Sequence, residues 1–108
     1  MIIDIHVHHA MGQEEGNAFA PTEALLRLAE QAGIDRLCLL GNVLRFGVRM
    51  KEPQIRLIND TTIALVRRCP ERLTGFCFLN PALDPGFLRE EVDRCVEGGL
   101  RGIKLEID

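Results

Sequence analysis

The chain has 108 residues, a length that fits one domain of ordinary size. Apolar residues make up 46% of it and charged residues 27%, the balance of a globular protein rather than of a disordered or fibrous one. A formal net charge of -3 argues against nucleic acid as the main partner. No apolar run approaches the roughly 18 residues of a membrane span, and residues 1–9 lack the basic start of a signal peptide, so a cytoplasmic location away from membranes is expected.

All three histidines, His6, His8 and His9, lie in the opening run Met1-Ile-Ile-Asp-Ile-His-Val-His-His9. Ile2, Ile3, Ile5 and Val7 are β-branched and predict a first strand. Period-two alternation places Ile3, Ile5 and Val7 on one face and Asp4, His6 and His8 on the other. Same-face neighbours on a strand lie roughly 6.5 Å apart at Cα, so two imidazoles can converge on one cation through nitrogens about 2.0–2.1 Å from it. A lone strand histidine is more often a hydrogen-bonded structural residue or a titrating surface group. An Asp-x-His-x-His run differs, because a carboxylate and two imidazoles buried on one face without a common partner would leave costly unsatisfied groups. His6 and His8 are therefore read as half of a divalent metal site. His9, just past the strand end, is expected to face the following loop or the substrate.

A loop rich in Gly, Glu and Gln is expected from His9 to Ala20. The next segment predicts a helix, with Pro21 in the first turn, Leu25, Leu28, Ala29 and Ala32 as its apolar stripe and Gly33 as its cap. Ile34 to Leu40 reads as a buried strand ended by Gly41. Asn42 to Glu52 shows no clear period and is expected to be a loop. It carries Arg45, Arg49 and Lys51, either as a solvated basic loop or as a binder of a carboxylated substrate.

Pro53 opens a second helix with Ile55, Ile58, Thr62, Leu65, Val66 and Cys69 along one side, and Pro70 closes it. Leu73 to Leu79 is the third strand. Asp84 is placed to cap, and Pro85 to start, a third helix with stripe Leu88, Val92, Cys95 and Val96. Gly98-Gly99 stops that helix. Leu100 to Ile107 reads as a fourth strand with Ile103, Leu105 and Ile107 facing one way and Lys104 and Glu106 the other. Cys38, Cys69, Cys77 and Cys95 are widely spaced without a C-x-x-C pair and read as packing residues.

Strands alternating with helices of this length imply parallel pairing and an α/β architecture. Charged and imidazole side chains near the ends of strands one and four favour a (β/α)₈ barrel, whose chemistry gathers at the strand C-termini. A doubly wound nucleotide fold would instead carry a G-x-G-x-x-G turn after the first strand, where this chain has His8-His-Ala-Met-Gly12. The fold expected is the N-terminal half, four β/α units, of a (β/α)₈ barrel.

Three segments resemble the amidohydrolase superfamily, and within it the amidohydrolase-related branch that includes aminocarboxymuconate-semialdehyde decarboxylase-like proteins. These are Ile3-Asp-Ile-His-Val-His8, Cys69-Pro-Glu-Arg-Leu-Thr-Gly-Phe-Cys-Phe-Leu-Asn-Pro81, and Gly98-Gly-Leu-Arg-Gly-Ile-Lys-Leu105. The resemblance spans nearly the whole chain. It implies a distorted (β/α)₈ barrel that binds one or two divalent ions, usually zinc, with His6 and His8 as strand-one ligands. It also implies a metal-dependent hydrolase acting on amide, ester or lactone bonds through a metal-activated water. The alternative is a metal-dependent decarboxylase of the same superfamily.

Asp4 is then a structural carboxylate or one that accepts a hydrogen bond behind a ligating imidazole. Lys104 is either a carboxylated lysine bridging two metals or a lysine paired with Glu106 or another inward carboxylate. A full barrel needs around 250 residues. The family's remaining histidines, after strands five and six, and the strand-eight aspartate that acts as proton acceptor are expected beyond residue 108. The fragment alone is expected to be inactive and its longer parent to be the enzyme, acting on a small molecule. A polymerase-and-histidinol-phosphatase-type phosphoesterase also opens with Asp-x-His-x-His, but calls for a Ser-Asp-Gly-like continuation in place of Ala10-Met-Gly-Gln13. A non-catalytic half-barrel that pairs through its open edges with a second copy is a further reading.

Overall fold

The computed structural model describes residues 1–9, 19–41, 46 and 49–106. Among the described residues seven elements alternate: β1 (Ile3–Val7), α1 (Phe19–Gln31), β2 (Arg36–Leu39), α2 (Glu52–Arg68), β3 (Leu73–Leu79), α3 (Pro85–Glu97) and β4 (Gly102–Leu105). The four strands form one parallel sheet in the order β1-β2-β3-β4. Each strand therefore sits beside its predecessor, and the order never reverses. A doubly wound sheet would show a reversal, so the topology is that of half a barrel.

Local chemistry explains the boundaries. Gly33 takes φ 77° at the end of α1, a conformation open to glycine at little cost. At the start of α3 the Asp84 carboxylate accepts from the Phe87 amide at 3.2 Å, and Pro85 occupies the first turn. Arg36 donates to the carbonyls of Pro70, Glu71 and Leu73 and to Thr74 Oγ1, tying β2 to the turn between α2 and β3. Helix α1 begins at Phe19, two residues earlier than its proline suggests. Residues 10–18 of the first loop, 42–45 and 47–48 of the second, and the expected strand residue Ile107 lie outside the described residues.

The core lies between the sheet and its helices. Register places Leu37 and Leu39 on the face shared by Leu73 and Gly75. A Cβ at Gly75 would stand 2.8 Å from Thr62 and Val66 of α2, so glycine here is what lets helix and strand approach. Leu37, Leu39, Leu73 and Cys77 pack with Ile55, Ile58 and Leu65 of α2 and with Phe87 and Cys95 of α3. Cys38 and Cys77 are buried in strands and Cys95 in α3, as packing residues would be.

Two helices present a face turned from the expected one. α1 buries Thr22, Leu26 and Ala29 and leaves Leu28 exposed; α3 buries Phe87, Glu91 and Cys95 and leaves Val96 exposed. In α3 the reason is Glu91, a charged residue that the apolar pattern assigns to solvent but that is 1% exposed. It accepts from Arg94 through both oxygens, at 3.0 and 2.6 Å, and from Asn59 Nδ2 at 2.9 Å. Arg94 also bonds Asp60 of α2. Burial pushes the Glu91 carboxyl up, but hydrogen bonds from Arg94 and Asn59 and the charges of Arg94 and Arg56 outweigh it and hold the group below its ordinary value.

Asn59 is the inner end of this network. The described β2–β3 pairing runs from Leu37↔Leu73 to Leu39↔Gly75. Three residues further along β3, the Phe78 amide donates to Asn59 Oδ1 at 2.7 Å and Asn59 Nδ2 donates to the Phe78 carbonyl at 3.0 Å. A side-chain amide thus does what a neighbouring strand would do.

The edge strands are open. On β1 Ile3 and Ile5, and on β4 Ile103 and Leu105, are exposed, and Val96, Leu100 and Ile103 line an apolar groove between α3 and β4. Among the described residues no helix is long and apolar enough to cross a membrane.

Replacing Asn59 with leucine, which matches its bulk but strands two buried backbone groups, is expected to cost about 2–5 kcal/mol in urea unfolding with an unchanged m value. Because the folded Glu91 carboxyl titrates below its unfolded value, its contribution is complete at neutral pH. It fades as pH falls below about 4.3 and through the lowered folded value. Stability of the chain should therefore decline more steeply in this acid range than that of Glu91→Gln, as read by thermal melts at stepped pH.

Candidate metal centre

His6 lies on β1 and His8 one residue past its end. Both are exposed, and their Nε2 atoms stand 3.1 Å apart with ring centroids 5.0 Å apart in an edge-on arrangement of 74°. The rings therefore leave the chain on the same side and converge. His8 Nδ1 meets the Gly41 carbonyl at 2.8 Å. A carbonyl only accepts, so Nδ1 carries a proton, and a neutral His8 keeps its lone pair on Nε2. Without a cation, His6 Nε2–H donates into that lone pair.

The separation also suits a shared ion. Two nitrogens each about 2.1 Å from one cation lie roughly 3.0–3.4 Å apart when they subtend about 90–110° at it. Neutral imidazoles with one ring nitrogen anchored on a backbone carbonyl are the usual donors for zinc and similar borderline cations. Among the described residues no group of three or more His, Cys, Asp or Glu gathers around one point, so the pair stands as a two-nitrogen site.

The remaining predicted residues separate into several positions. Asp4 is not in simple phase with the histidines. The pairings Ile3↔Arg36 and Asp4↔Leu37 give way to Val7↔Leu39, so β1 advances three residues where β2 advances two. A bulge thus breaks the alternation between Asp4 and Val7. The Asp4 carboxylate accepts from the backbone amide of His6 at 3.0 Å, two residues along, rather than from an imidazole. It braces the bulge from which His6 projects.

Lys104 and Glu106 form an ion pair at 3.8 Å on β4 and its extension. Lys104 is in register with Phe78, whereas Ile103 aligns with Cys77 on the helix side, in agreement with the alternation read from the sequence. Among the described residues neither Lys104 nor Glu106 is bonded to His6 or His8. The strand-four pair and the strand-one pair stand as separate groups.

His9 lies apart from the His6–His8 pair. It is buried, and its Nε2 meets Thr62 Oγ1 of α2 at 2.8 Å, while Thr62 donates its own hydroxyl to the Ile58 carbonyl. The backbone past His8 carries this ring toward the helix layer, where it meets the Thr62 hydroxyl; the following loop lies outside the described residues. Arg49 and Lys51 are exposed, Lys51 caps α2, and Arg45 lies outside the described residues.

Asn59 and Glu91, whose hydrogen bonds hold the Phe78 backbone of β3, were not singled out by the motifs. Their signal was present as a polar residue within each apolar helix stripe, Asn59 beside Ile55 and Ile58, and Glu91 between Leu88 and Cys95.

No protein-family model and no curated protein matches the chain. Solved structures do. The crystal structure of 2,6-dihydroxybenzoate decarboxylase from Rhizobium superposes with a TM-score of 0.73 at 22% identity over 94% of this chain. The crystal structure of 2,6-dihydroxybenzoate decarboxylase complexed with 2,6-dihydroxybenzoate gives a TM-score of 0.72 at 22% identity over 94% of this chain. The fold is therefore the N-terminal part of a TIM-type barrel. The chain spans 37% and 38% of the lengths of those two structures.

Calorimetric titration with zinc is expected to show one ion per chain, lost in His6→Ala and in His8→Ala. Because both rings are exposed, His6→Ala should change stability by no more than about 0.5 kcal/mol in chemical unfolding, whereas His8→Ala, which removes the donor to the Gly41 carbonyl, should cost about 0.5–1.5 kcal/mol.

Proposed function

We propose that this chain supplies the strand-one half of the metal centre of a decarboxylase of the amidohydrolase superfamily, with His6 and His8 as ligands to a divalent cation, zinc by preference. The observation that carries this reading is the convergence of His6 Nε2 and His8 Nε2 at 3.1 Å, with His8 held by the Gly41 carbonyl. The likeness to 2,6-dihydroxybenzoate decarboxylase favours loss of carbon dioxide over the hydrolysis of amides, esters or lactones that the motifs first suggest.

A divalent cation held by His6 and His8 would supply positive charge to bind and orient a carboxylated small molecule. His6 and His8 hold that charge at the C-terminal end of β1, where barrel enzymes assemble their sites. His8 is fixed by Gly41, and the Asp4 carboxylate holds the His6 backbone through its amide. Lys104, paired with Glu106, offers a second cationic group on the strand at the opposite edge of the sheet. The proton that replaces the departing carboxyl group is assigned to a residue outside this chain. The substrate class is an aromatic carboxylate: once that proton has added to the carboxyl-bearing ring carbon, the electron pair of the breaking carbon–carbon bond returns to the ring as carbon dioxide leaves.

The test is a paired assay of the zinc-loaded full-length parent protein. Carboxyl-labelled 2,6-dihydroxybenzoate and related hydroxybenzoates are followed for labelled carbon dioxide, and a panel of amides, esters and lactones is followed for hydrolysis. Carbon dioxide release that disappears in the His6→Ala, His8→Ala double variant is expected. Metal-dependent hydrolysis without carbon dioxide would restore the hydrolase reading and overturn this one.

A further inference from the structure

The seat of the Gly41 carbonyl is built from both sides. Gly41 follows β2 with φ 84°, a left-handed conformation that side chains rarely adopt. A Cβ placed there would lie 2.9 Å from Ile58 Cγ2 and 3.3 Å from Phe78 Cβ. Neither wall is free to retreat. Ile58 is fully buried on α2, and the Phe78 backbone is gripped at its amide and its carbonyl by Asn59. Asn59 is in turn held by the buried Glu91. On its Cβ side the Gly41 backbone thus stands directly against a helix and a strand that are already locked together.

That oxygen meets His8 Nδ1 at 2.8 Å, and the opposite ring nitrogen is the one that approaches His6. A neutral imidazole has two tautomers, and which nitrogen is left to bind a metal follows from the hydrogen bond made by the other. We infer that Gly41 is a positioning residue: with its Cβ side closed by Ile58 and Phe78, its backbone carbonyl selects the Nδ1–H tautomer of His8 and presents Nε2 as a ligand before any cation arrives. The role as part of a metal centre rests on the reading of His6 and His8 given above; the tautomer itself does not. The same closure explains why glycine occupies this position. Any side chain would push the peptide away from Ile58 and Phe78 and swing the carbonyl off His8.

The experiment has two arms, both on the intact chain. In the first, nitrogen-15 NMR of histidine-labelled, metal-free protein in mildly alkaline buffer is assigned with His8→Ala. His8 should show a protonated Nδ1 and an unprotonated Nε2, and a dominant Nε2–H form would overturn the inference without recourse to any variant at Gly41. In the second, Gly41→Ala, checked for fold by circular dichroism, should show a mixed His8 tautomer and zinc binding weaker by about 10–100-fold in calorimetry. Unchanged tautomer and affinity in a folded Gly41→Ala protein would also overturn it. Should the wild-type chain show the Nδ1–H form but bind no zinc, the metal reading fails and the positioning role falls with it, while tautomer selection by Gly41 stands. Zinc bound through His6 and His8 together with an Nε2–H ring would sink the positioning role alone.

Discussion

The carboxamide of Asn59 is the contact on which the C-terminal end of this half-barrel depends. Pairing between β2 and β3 is described only as far as Gly75, yet Phe78 lies deeper along β3 with no exposure to solvent. Its amide and carbonyl need partners, and burying them without any would cost about 1–3 kcal/mol each. Asn59 satisfies both from α2 and remains bonded to Glu91 on α3. One side chain thereby locks strand, helix and second helix in a single arrangement. The Phe78 wall that results holds Gly41, and Gly41 holds His8. The order of the two imidazoles is thus traceable, contact by contact, to a polar group inside the helix layer.

A buried carboxylate in such a place has to be argued for, since desolvation disfavours its charged form. Glu91 remains ionised because its oxygens are occupied by the Arg94 guanidinium and the Asn59 amide, and because Arg56 adds a further positive charge nearby. Arg94 is itself partly exposed and anchored by Asp60, so the network reaches water at its outer end while its inner end stays dry. This geometry keeps the carboxylate from becoming an unpaired internal charge and ties α2 to α3 by direction as well as by packing.

Much of this was legible in the residues. The alternation of strand and helix signals, the prolines at helix starts and the capping Asp84 translate directly into the seven elements, because each acts through its immediate neighbours. The histidine pair was legible because residues i and i+2 of extended chain share a face, and His6 and His8 keep that relation past the bulge. What escaped depends on distant partners. The bulge between Asp4 and Val7 arises in the pairing of β1 with β2, and it removes Asp4 from the simple alternation that aligned it with the imidazoles. His9 turned inward because Thr62, more than fifty positions later, offers a hydroxyl. Glu91 rotated the buried face of α3 because an arginine and an asparagine neutralise its burial. Single-chain patterns price a glutamate as exposed, and only the partners reverse that.

The fold by itself supports many chemistries, so the reaction has to be argued from the ligand pair and not from the barrel. That pair makes a specific claim, that one cation sits between two imidazole nitrogens contributed by the opening strand. X-ray absorption at the zinc edge on the zinc-loaded chain tests it most directly. The account predicts two imidazole scatterers at about 2.0–2.1 Å, with water or other oxygen completing the shell, and their loss in the His6→Ala, His8→Ala protein. Sulfur scatterers at about 2.3 Å, or a spectrum untouched by removal of both histidines, would contradict it.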